Sequence, residues 1–382
     1  MPKTKFDHVK ISGITAVVPE HFINIDDEIE FFNNDRKLLE RNKKILGLGK
    51  RHVVDDRTTN ADLCEAAAQD LIDGLKVDKN TIDTLIAISI SHDYHWPATS
   101  CILQGRLGLN KECTCFDISG LACSAYVHGL WLAHSLIASG ASKRCLIVAG
   151  DLNSLHSDRR NRNSNMLFGD AGTATLLEYT KDENTAFFYT GTQGEDWDKL
   201  IAPAGGYALP VREDIAGLEV TDDKGNVWHL WDDLMKGFDV FKFATETGAR
   251  TISDILTYAE KSTQDIDYFA FHQANKQIVQ TIAQHCSLPR EKWSADAFSL
   301  FGNCSSASVV TDVCHHLESH SATGEVCLAT FGVGLSWGVG IVNMKNTRTG
   351  GVRMYKTPEG KMNREEKIRY WVSYFKGDNN DK

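Results

Sequence analysis

Short apolar segments rich in β-branched residues alternate with longer helix-like segments along most of this chain. TLIAISIS (84–91) and RCLIVAG (144–150) are typical of buried strands, whereas residues 60–76 and 124–139 are typical of helices. Strands that are joined by crossover helices produce this alternation. The sequence therefore predicts an α/β protein with a mainly parallel sheet covered on both faces.

The same local arrangement occurs twice. CTCFDI (113–118) and IDYFAF (266–271) are each predicted strands that run into a turn with reactive side chains and then into a helix. This repetition predicts a duplicated architecture, with an N-terminal half at 1–180 and a C-terminal half at 181–344. Residues 345–382 form a basic extension with ten Lys or Arg and five Asp or Glu.

Composition and charge exclude several classes of protein. The chain has 382 residues, 42% of them hydrophobic, which is enough for a substantial core, and a formal net charge of -10 that makes nucleic acid an unfavourable partner. No apolar run of about 18 residues is present, so no membrane span is predicted. The N-terminal segment MPKTKFDHVKISG lacks the apolar core of a secretion signal, so we expect a cytoplasmic enzyme.

Neither the cysteines nor the histidines give a strong metal pattern. The ten cysteines are scattered, which favours reduced thiols, and Cys113 and Cys115 have no second pair at zinc spacing. His315, His316 and His320 lie on a predicted helix, where a polar helix face is the simpler interpretation. We therefore predict no metal and no cofactor.

The segment FDISGLACSAYVHGL (116–130) holds the strongest candidate nucleophile. A strand ends near Ile118, small residues allow a tight turn, and Cys123 follows where a helix begins. A thiol at a helix N-terminus faces unpaired N–H groups and the positive end of the helix dipole, which favour the thiolate. A thiolate attacks thioester carbonyls, so Cys123 is predicted to carry an acyl group.

Two further strand-to-helix turns carry polar side chains. In FHQANKQI (271–278), His272 follows a strand, and in FGNCSSAS (301–308), Asn303 precedes a helix. N–H groups of these side chains could stabilise an enolate. The Gly-rich turn TFGVGLSWG (330–338) could place the backbone N–H of Val333 beside that of Cys123 as an oxyanion hole.

Taken together, these segments resemble the β-ketoacyl-acyl-carrier-protein synthase III family of the thiolase superfamily. The resemblance covers roughly residues 8–344 and includes the order of Cys123, His272 and Asn303, the segment GDAGTATLL (169–177) and the final Gly-rich turn. It implies a thiolase fold with five layers, αβαβα, and a homodimer. It also implies a ping-pong reaction in fatty-acid or specialised metabolism.

The resemblance also implies substrates and contacts. Cys123 would take its acyl group from acyl-CoA or an acyl-carrier protein, and a malonyl-carrier thioester would then lose carbon dioxide and attack. The segment before KRHVV (50–54) contains no Trp, which leaves the choice between CoA and carrier open. Lys242 and Lys276 are candidate contacts for CoA or the carrier protein. Trp96, on a loop that would reach the partner's acyl pocket, is expected to limit chain length unless it is merely a surface residue.

Two other functions are compatible with the same residues. Cys123 could pass its acyl group to an oxygen or nitrogen nucleophile without decarboxylation, with His272 as a general base. The chain could also be a non-catalytic subunit, although the presence of Cys123, His272 and Asn303 argues against this.

Two charged segments have open interpretations. Residues 26–51, with seven Lys or Arg, form either a solvated surface helix or a rim that contacts phosphate. KMNREEKIRYWVSYF (361–375) is predicted to be a short helix with Asn363 and Glu366 as a capping box. Its apolar face would pack on the protein or its dimer partner, or its basic residues would attract an acidic carrier protein.

Overall fold

The structure is a computed structural model that describes residues 3–223, 225–319 and 324–377. The strands are β1 (Lys3–Phe6), β2 (Val9–Pro19), β3 (Phe22–Asn24), β4 (Lys50–His52), β5 (Thr84–Ile88), β6 (Thr114–Ile118), β7 (Arg144–Asp151), β8 (Ala171–Tyr179), β9 (Ala186–Thr192), β10 (Leu200–Ile201), β11 (Val220–Thr221), β12 (Val227–Trp228), β13 (Leu234–Met235), β14 (Tyr268–Phe271), β15 (Glu325–Gly332), β16 (Ser336–Asn343) and β17 (Arg348–Tyr355).

The α-helices are α1 (Arg36–Leu46), α2 (Asn60–Leu75), α3 (Thr99–Leu107), α4 (Ala125–Ala138), α5 (Glu213–Ala216), α6 (Gly237–Tyr258), α7 (Lys276–His285), α8 (Asp296–Phe301), α9 (Ser308–Ser319) and α10 (Arg364–Lys376). The helices and strands predicted from the sequence are present, with ends that differ by one to three residues. No helix within the described ranges is long and apolar enough to cross a membrane.

Two large sheets form the core. One has the strand order β17-β2-β8-β7-β5-β6, and the other has the order β1-β9-β16-β15-β14. The prediction of one mainly parallel sheet is wrong, because both sheets are mixed and only β14–β15 is parallel in the second. The physical reason is visible at β15 and β16, which are joined by three residues, whereas a parallel crossover needs a dozen or more.

Five layers result from the way the helices cover these sheets. α4 and α9 lie between the two sheets and contact strands of both, while α2 and α3 cover the outer face of the first sheet and α6 covers that of the second. α4 is apolar around most of its circumference because it packs against a sheet on each side. This is the predicted αβαβα order.

Two 3-10 turns of similar conformation lie next to each other at the centre of the molecule. A 3-10 turn at Ala122–Ser124 precedes α4, and another at Ser305–Ala307 precedes α9. Ala122 and Ser305, the first residues of these turns, both adopt positive φ, at 45° and 48°. L-residues rarely adopt this conformation, so its occurrence at both turns supports a functional constraint on each.

Residues 345–377, the described part of the C-terminal extension, contribute two elements. β17 pairs in parallel with β2 as an edge strand of the first sheet. The predicted helix is confirmed as α10, and its capping box is present, with Asn363 accepting from the N–H of Glu366 and Glu366 accepting from the N–H of Asn363. The apolar side chains of α10 stay exposed, Phe375 most of all at 80%, although Trp371 meets Tyr94 edge to face.

Charged residues in the region 26–51 mostly pair within the chain. Arg51 and Glu28 form a bidentate ion pair with distances of 2.6 and 2.7 Å, and both side chains are 4% exposed. Lys43 and Arg36 both pair with Asp26 near the start of α1. These pairs lie within the segment, whereas a hydrogen bond from Arg51 to the side-chain oxygen of Asn165 and an ion pair between Arg159 and Glu28 hold it against the body of the protein.

Candidate active site

Cys123, His272 and Asn303 line a single cavity of about 100 Å³. Cys123 follows β6, His272 follows β14, and Asn303 precedes the turn that leads into α9. The two sheets therefore bring side chains that are 149 and 31 residues apart in the sequence to one point. Most of the remaining wall is apolar: Leu167, Phe168, Leu200, Met235, Val240, Phe243, Ala244, Ala274, Ile278 and Phe331.

Cys123 is 8% exposed, and its sulfur lies 3.6 Å from the hydroxyl oxygen of Ser305. Burial raises the pKa of Cys123 to about 12, and the charges of Asp151 and Asp233 act in the same direction. The hydrogen bond to Ser305 and the backbone N–H of Cys123 oppose this shift without cancelling it. The unliganded site therefore holds a thiol at neutral pH, in contrast to the thiolate that the helix N-terminus alone suggests.

His272 is 5% exposed, and burial lowers its pKa to about 3. Its Nδ1 lies 2.6 Å from the hydroxyl oxygen of Ser308, the first residue of α9. The backbone N–H of His272 donates to Ala329 on β15, which fixes the ring's position relative to the sheet. The imidazole is therefore neutral and anchored through one nitrogen, which leaves Nε2 for the cavity.

Asn303 is fixed by three hydrogen bonds on one side of the residue. Its side-chain oxygen accepts from the N–H of Ser305 at 2.9 Å, its backbone N–H donates to Leu167, and its carbonyl accepts from Gly169. Because Oδ1 is the atom that accepts, the amide orientation follows directly. The NH₂ group of Asn303 is thus the part of the side chain that can serve a ligand.

The Gly-rich turn packs directly on the turn that holds Cys123. A Cβ atom on Gly332 would lie 2.2 Å from the carbonyl oxygen of Leu121 and 2.7 Å from the backbone nitrogen of Ser124. Only glycine allows this approach, which places Val333 next to the turn of Cys123. Gly332 lines the cavity, and Gly334, with φ of 66°, reverses the chain toward β16.

The other predicted site residues lie outside this cavity. Lys242 is exposed on α6, beside the lining residue Phe243, and the half-buried Lys276 begins α7, next to Asn275. Trp96 is 71% exposed and does not line the cavity of its own chain.

Four residues of the site carry no role in the sequence-based prediction. Ser305 and Ser308 contact Cys123 and His272, and their signal was present in the small-residue segment after Asn303. Asp233 and Ser164 also line the cavity. These two lie in irregular segments without periodicity, so no sequence pattern predicts a role for them.

No group of three or more potential metal ligands is found among residues 3–223, 225–319 and 324–377. His316 stacks on Tyr268 with 3.6 Å between ring centres, and His320 lies outside the described residues.

Comparison with known proteins agrees with this architecture. The family description "3-Oxoacyl-[acyl-carrier-protein (ACP)] synthase III" matches residues 116–194, and the description of its C-terminal part matches residues 256–344. A putative 3-oxoacyl-[acyl-carrier-protein] synthase 3 of Campylobacter jejuni is 38% identical over 354 residues, which cover 92% of this chain and 99% of the relative.

The chain belongs to the 3-oxoacyl-acyl-carrier-protein synthase III family. A second member, the β-ketoacyl-[acyl-carrier-protein] synthase III of Fusobacterium nucleatum, is 32% identical over 338 residues, which cover 87% of this chain and 98% of the relative. The predicted family is confirmed.

Solved structures of this family also resemble the chain. A 3-oxoacyl-(acyl-carrier protein) synthase from Burkholderia xenovorans superposes with a TM-score of 0.83 at 30% identity, over 93% of this chain and 99% of that one. The priming β-ketosynthase of the R1128 polyketide pathway shares the fold, with a TM-score of 0.77 at 21% identity over 90% of this chain and 98% of its own. The predicted thiolase fold is confirmed.

Proposed function

We propose that the chain joins an acyl group to a malonyl thioester by decarboxylative condensation, and that Cys123, His272 and Asn303 carry the chemistry. The observation that supports this most directly is their convergence on one small, largely apolar cavity. The names of the relatives refer to acyl-carrier protein, which supports a carrier-bound substrate.

The first half-reaction is an exchange of thioesters. The sulfur of Cys123 bonds to the acyl carbon, the bond from that carbon to the donor sulfur breaks, and the Cys123 proton leaves with the donor thiol. The oxyanion of the tetrahedral intermediate would accept hydrogen bonds from the backbone N–H groups of Cys123 and Val333. The donor is acyl-CoA or an acyl-carrier protein.

The second half-reaction uses the two neutral donors. The malonyl thioester loses carbon dioxide, and its thioester oxygen, which becomes the enolate oxygen, accepts from Nε2 of His272 and Nδ2 of Asn303. The enolate carbon attacks the acyl carbon on Cys123, and the Cys123 sulfur leaves and regains a proton. We assign the Ser308 hydroxyl as the donor to Nδ1, which keeps the ring proton on Nε2.

The pKa of His272 favours carbon–carbon bond formation over transfer to oxygen or nitrogen. A ring with a pKa of about 3 is a poor general base at neutral pH, yet remains a good hydrogen-bond donor. Acyl transfer to an alcohol or amine needs His272 as a general base, whereas stabilisation of an enolate needs it only as a hydrogen-bond donor. This difference supports condensation as the reaction.

The decisive experiment separates loading from decarboxylation. Cys123→Ala should form no acyl-enzyme in intact-protein mass spectrometry. His272→Ala and Asn303→Ala should still acylate, but should release carbon dioxide from malonyl-carrier protein about 100-fold more slowly or worse, because each lacks one donor to the enolate. Normal carbon dioxide release by either variant would contradict the condensation proposal and favour transfer to a heteroatom.

We also propose that an acidic carrier protein docks near Lys242 and Lys276, on a cytoplasmic homodimer. Both lysines adjoin residues that line the cavity. Lys242→Glu should raise the KM for carrier-bound substrate several-fold and weaken its salt dependence. Lys181→Glu is a matched control, because Lys181 is exposed after β8, at the opposite edge of the sheet from Cys123. An equal effect of both variants would speak against a local docking site.

A further inference from the structure

Two polar side chains interrupt the apolar wall of the Cys123 cavity. The hydroxyl oxygen of Ser164 and the Oδ2 atom of Asp233 are both buried, and neither has a hydrogen-bond partner within the described ranges 3–223, 225–319 and 324–377. Both residues line the cavity together with Cys123. Neither belongs to the chemistry proposed above.

The aspartate next to Asp233 shows what a purely structural carboxylate looks like here. Asp232 is fully buried and accepts hydrogen bonds from the N–H of Asp158, the amide of Asn161 and the N–H of His229. Asp233 instead lines the cavity with a side chain that is 17% exposed, and Nε2 of the His156 imidazole lies 3.8 Å from its Oδ1. Burial raises the pKa of Asp233, as do the charges of Asp232 and Asp151, whereas His156 and a hydrogen bond with the side chain of Ser157 lower it in part.

Ser164 is in a similar position. The residue is 1% exposed, and its backbone N–H is held by the carbonyl of Asn161, so the loop fixes where the hydroxyl lies. A hydroxyl that serves only to pack would be expected to donate to a nearby carbonyl, as most buried hydroxyls do.

Unpaired polar atoms are unfavourable in a pocket for a plain alkyl chain. Burying a donor or acceptor without a partner destabilises the folded protein, and apolar side chains at these positions would bind an alkyl chain better. A ligand that supplies the missing hydrogen bonds reverses this balance. A hydroxyl group matches both atoms, because it can donate to a carboxyl oxygen and accept from a serine hydroxyl, and it adds no charge to the cavity.

We propose that Asp233 and Ser164 form a polar subsite that selects acyl groups bearing a hydroxyl substituent. This inference rests on the proposed role of Cys123 as the acyl acceptor. It makes Asp233 and Ser164 specificity-determining residues and names hydroxyacyl thioesters as the preferred primers.

The experiment compares short thioesters that differ only in the hydroxyl group. Loading of Cys123 from butyryl-CoA, 2-hydroxybutyryl-CoA and 3-hydroxybutyryl-CoA is followed by intact-protein mass spectrometry, and the rates are expressed as hydroxybutyryl over butyryl. We expect a ratio above one for at least one hydroxy isomer. Asp233→Leu should lower that ratio by about tenfold, and Ser164→Ala should lower it by a smaller factor.

Two controls separate selectivity from misfolding. Met235→Leu changes an apolar residue of the same wall with little change in volume, and it should leave the ratio unchanged. Asp233→Asn keeps the shape of the side chain and its capacity to accept and donate, and it should retain part of the preference. A wild-type preference for butyryl, or equal loss of both rates in Asp233→Leu, would overturn the proposal.

A binding measurement makes the inference separable from the proposed function. Calorimetry with the Cys123→Ala protein compares the affinities for butyryl-CoA, 2-hydroxybutyryl-CoA and 3-hydroxybutyryl-CoA without any transfer. If wild type acylates from neither CoA nor carrier-bound thioesters but the affinity difference depends on Asp233, the subsite stands and the condensation proposal fails. If neither 2- nor 3-hydroxybutyryl-CoA binds more tightly than butyryl-CoA, the subsite is refuted whatever the reaction is.

Discussion

Cys123 should react with iodoacetamide at a rate that rises about tenfold per pH unit between roughly pH 6 and pH 10, with no plateau. Alkylation requires the thiolate, and the thiolate fraction follows the pKa. Burial raises that pKa from 9.0 to about 12. This change in the pKa of Cys123 makes its alkylation at pH 8 about a thousandfold slower than that of an ordinary thiol, which corresponds to about 4 kcal/mol.

The protonation state of His272 determines how the alkylation rate of Cys123 depends on pH. If its imidazole were protonated beside a Cys123 thiolate, the rate would be nearly flat above mildly acidic pH. Its pKa of about 3 instead keeps the ring neutral throughout this range, so no inflection is expected near the ordinary histidine value of 6.5.

Peptide mapping by mass spectrometry resolves the ten cysteines, and the exposed Cys101 serves as the internal reference for the reagent. A rate at Cys123 that levels off below about pH 8 would refute the reasoning. It would mean that the backbone N–H groups before α4 outweigh burial, as the local sequence alone suggests.

Three further outcomes test other parts of the molecule. Trp96→Ala should broaden the accepted chain length toward longer acyl groups if Trp96 limits the partner's pocket, and an unchanged profile would identify it as a surface residue. Truncation after Gly360 removes α10 but keeps β17. We expect a lower melting temperature or loss of the proposed dimer, because the exposed apolar face of α10 is typical of a surface that packs on a second copy. An unchanged melting temperature with a raised KM for the carrier-bound substrate would favour carrier docking instead. Arg51→Ala should lower the free energy of unfolding in urea by about 3 kcal/mol, because it leaves the buried carboxylate of Glu28 without its main partner, whereas a change below about 1 kcal/mol would show that water or Arg159 replaces it.

The candidate site could be predicted from the sequence because Cys123 and His272 follow strands and Asn303, which follows helix α8, precedes another helix. Cys123, His272 and Asn303 each stand at a junction with a helix, and the sheets bring such junctions to the same edge. The raised pKa of Cys123 could not be predicted from the sequence. A helix N-terminus is local and can be seen in the sequence, whereas burial by residues from both sheets depends on the tertiary fold.

Two other differences between the sequence-based prediction and the structure, at β17 and at Asp233, also arise from the tertiary fold. β17 contains Gly350, Gly351 and charged residues, so it looks like an irregular basic tail until β2 supplies its hydrogen bonds. Asp233 lies just before the two-residue strand β13, where no periodicity distinguishes a residue that faces the cavity from one that faces solvent. Such positions are set by contacts between distant segments, which a single sequence does not encode locally.

The exchange of end strands between the sheets has a consequence for synthesis. β1, near the N-terminus, pairs with β9 in the second sheet, and β17, near the C-terminus, pairs with β2 in the first. During translation, the first sheet cannot gain its last strand until residue 355 has left the ribosome, although β2 emerged more than three hundred residues earlier. Each sheet thus takes one edge strand from the opposite end of the chain, so a cut near residue 180 would leave each fragment with a sheet that lacks an edge strand.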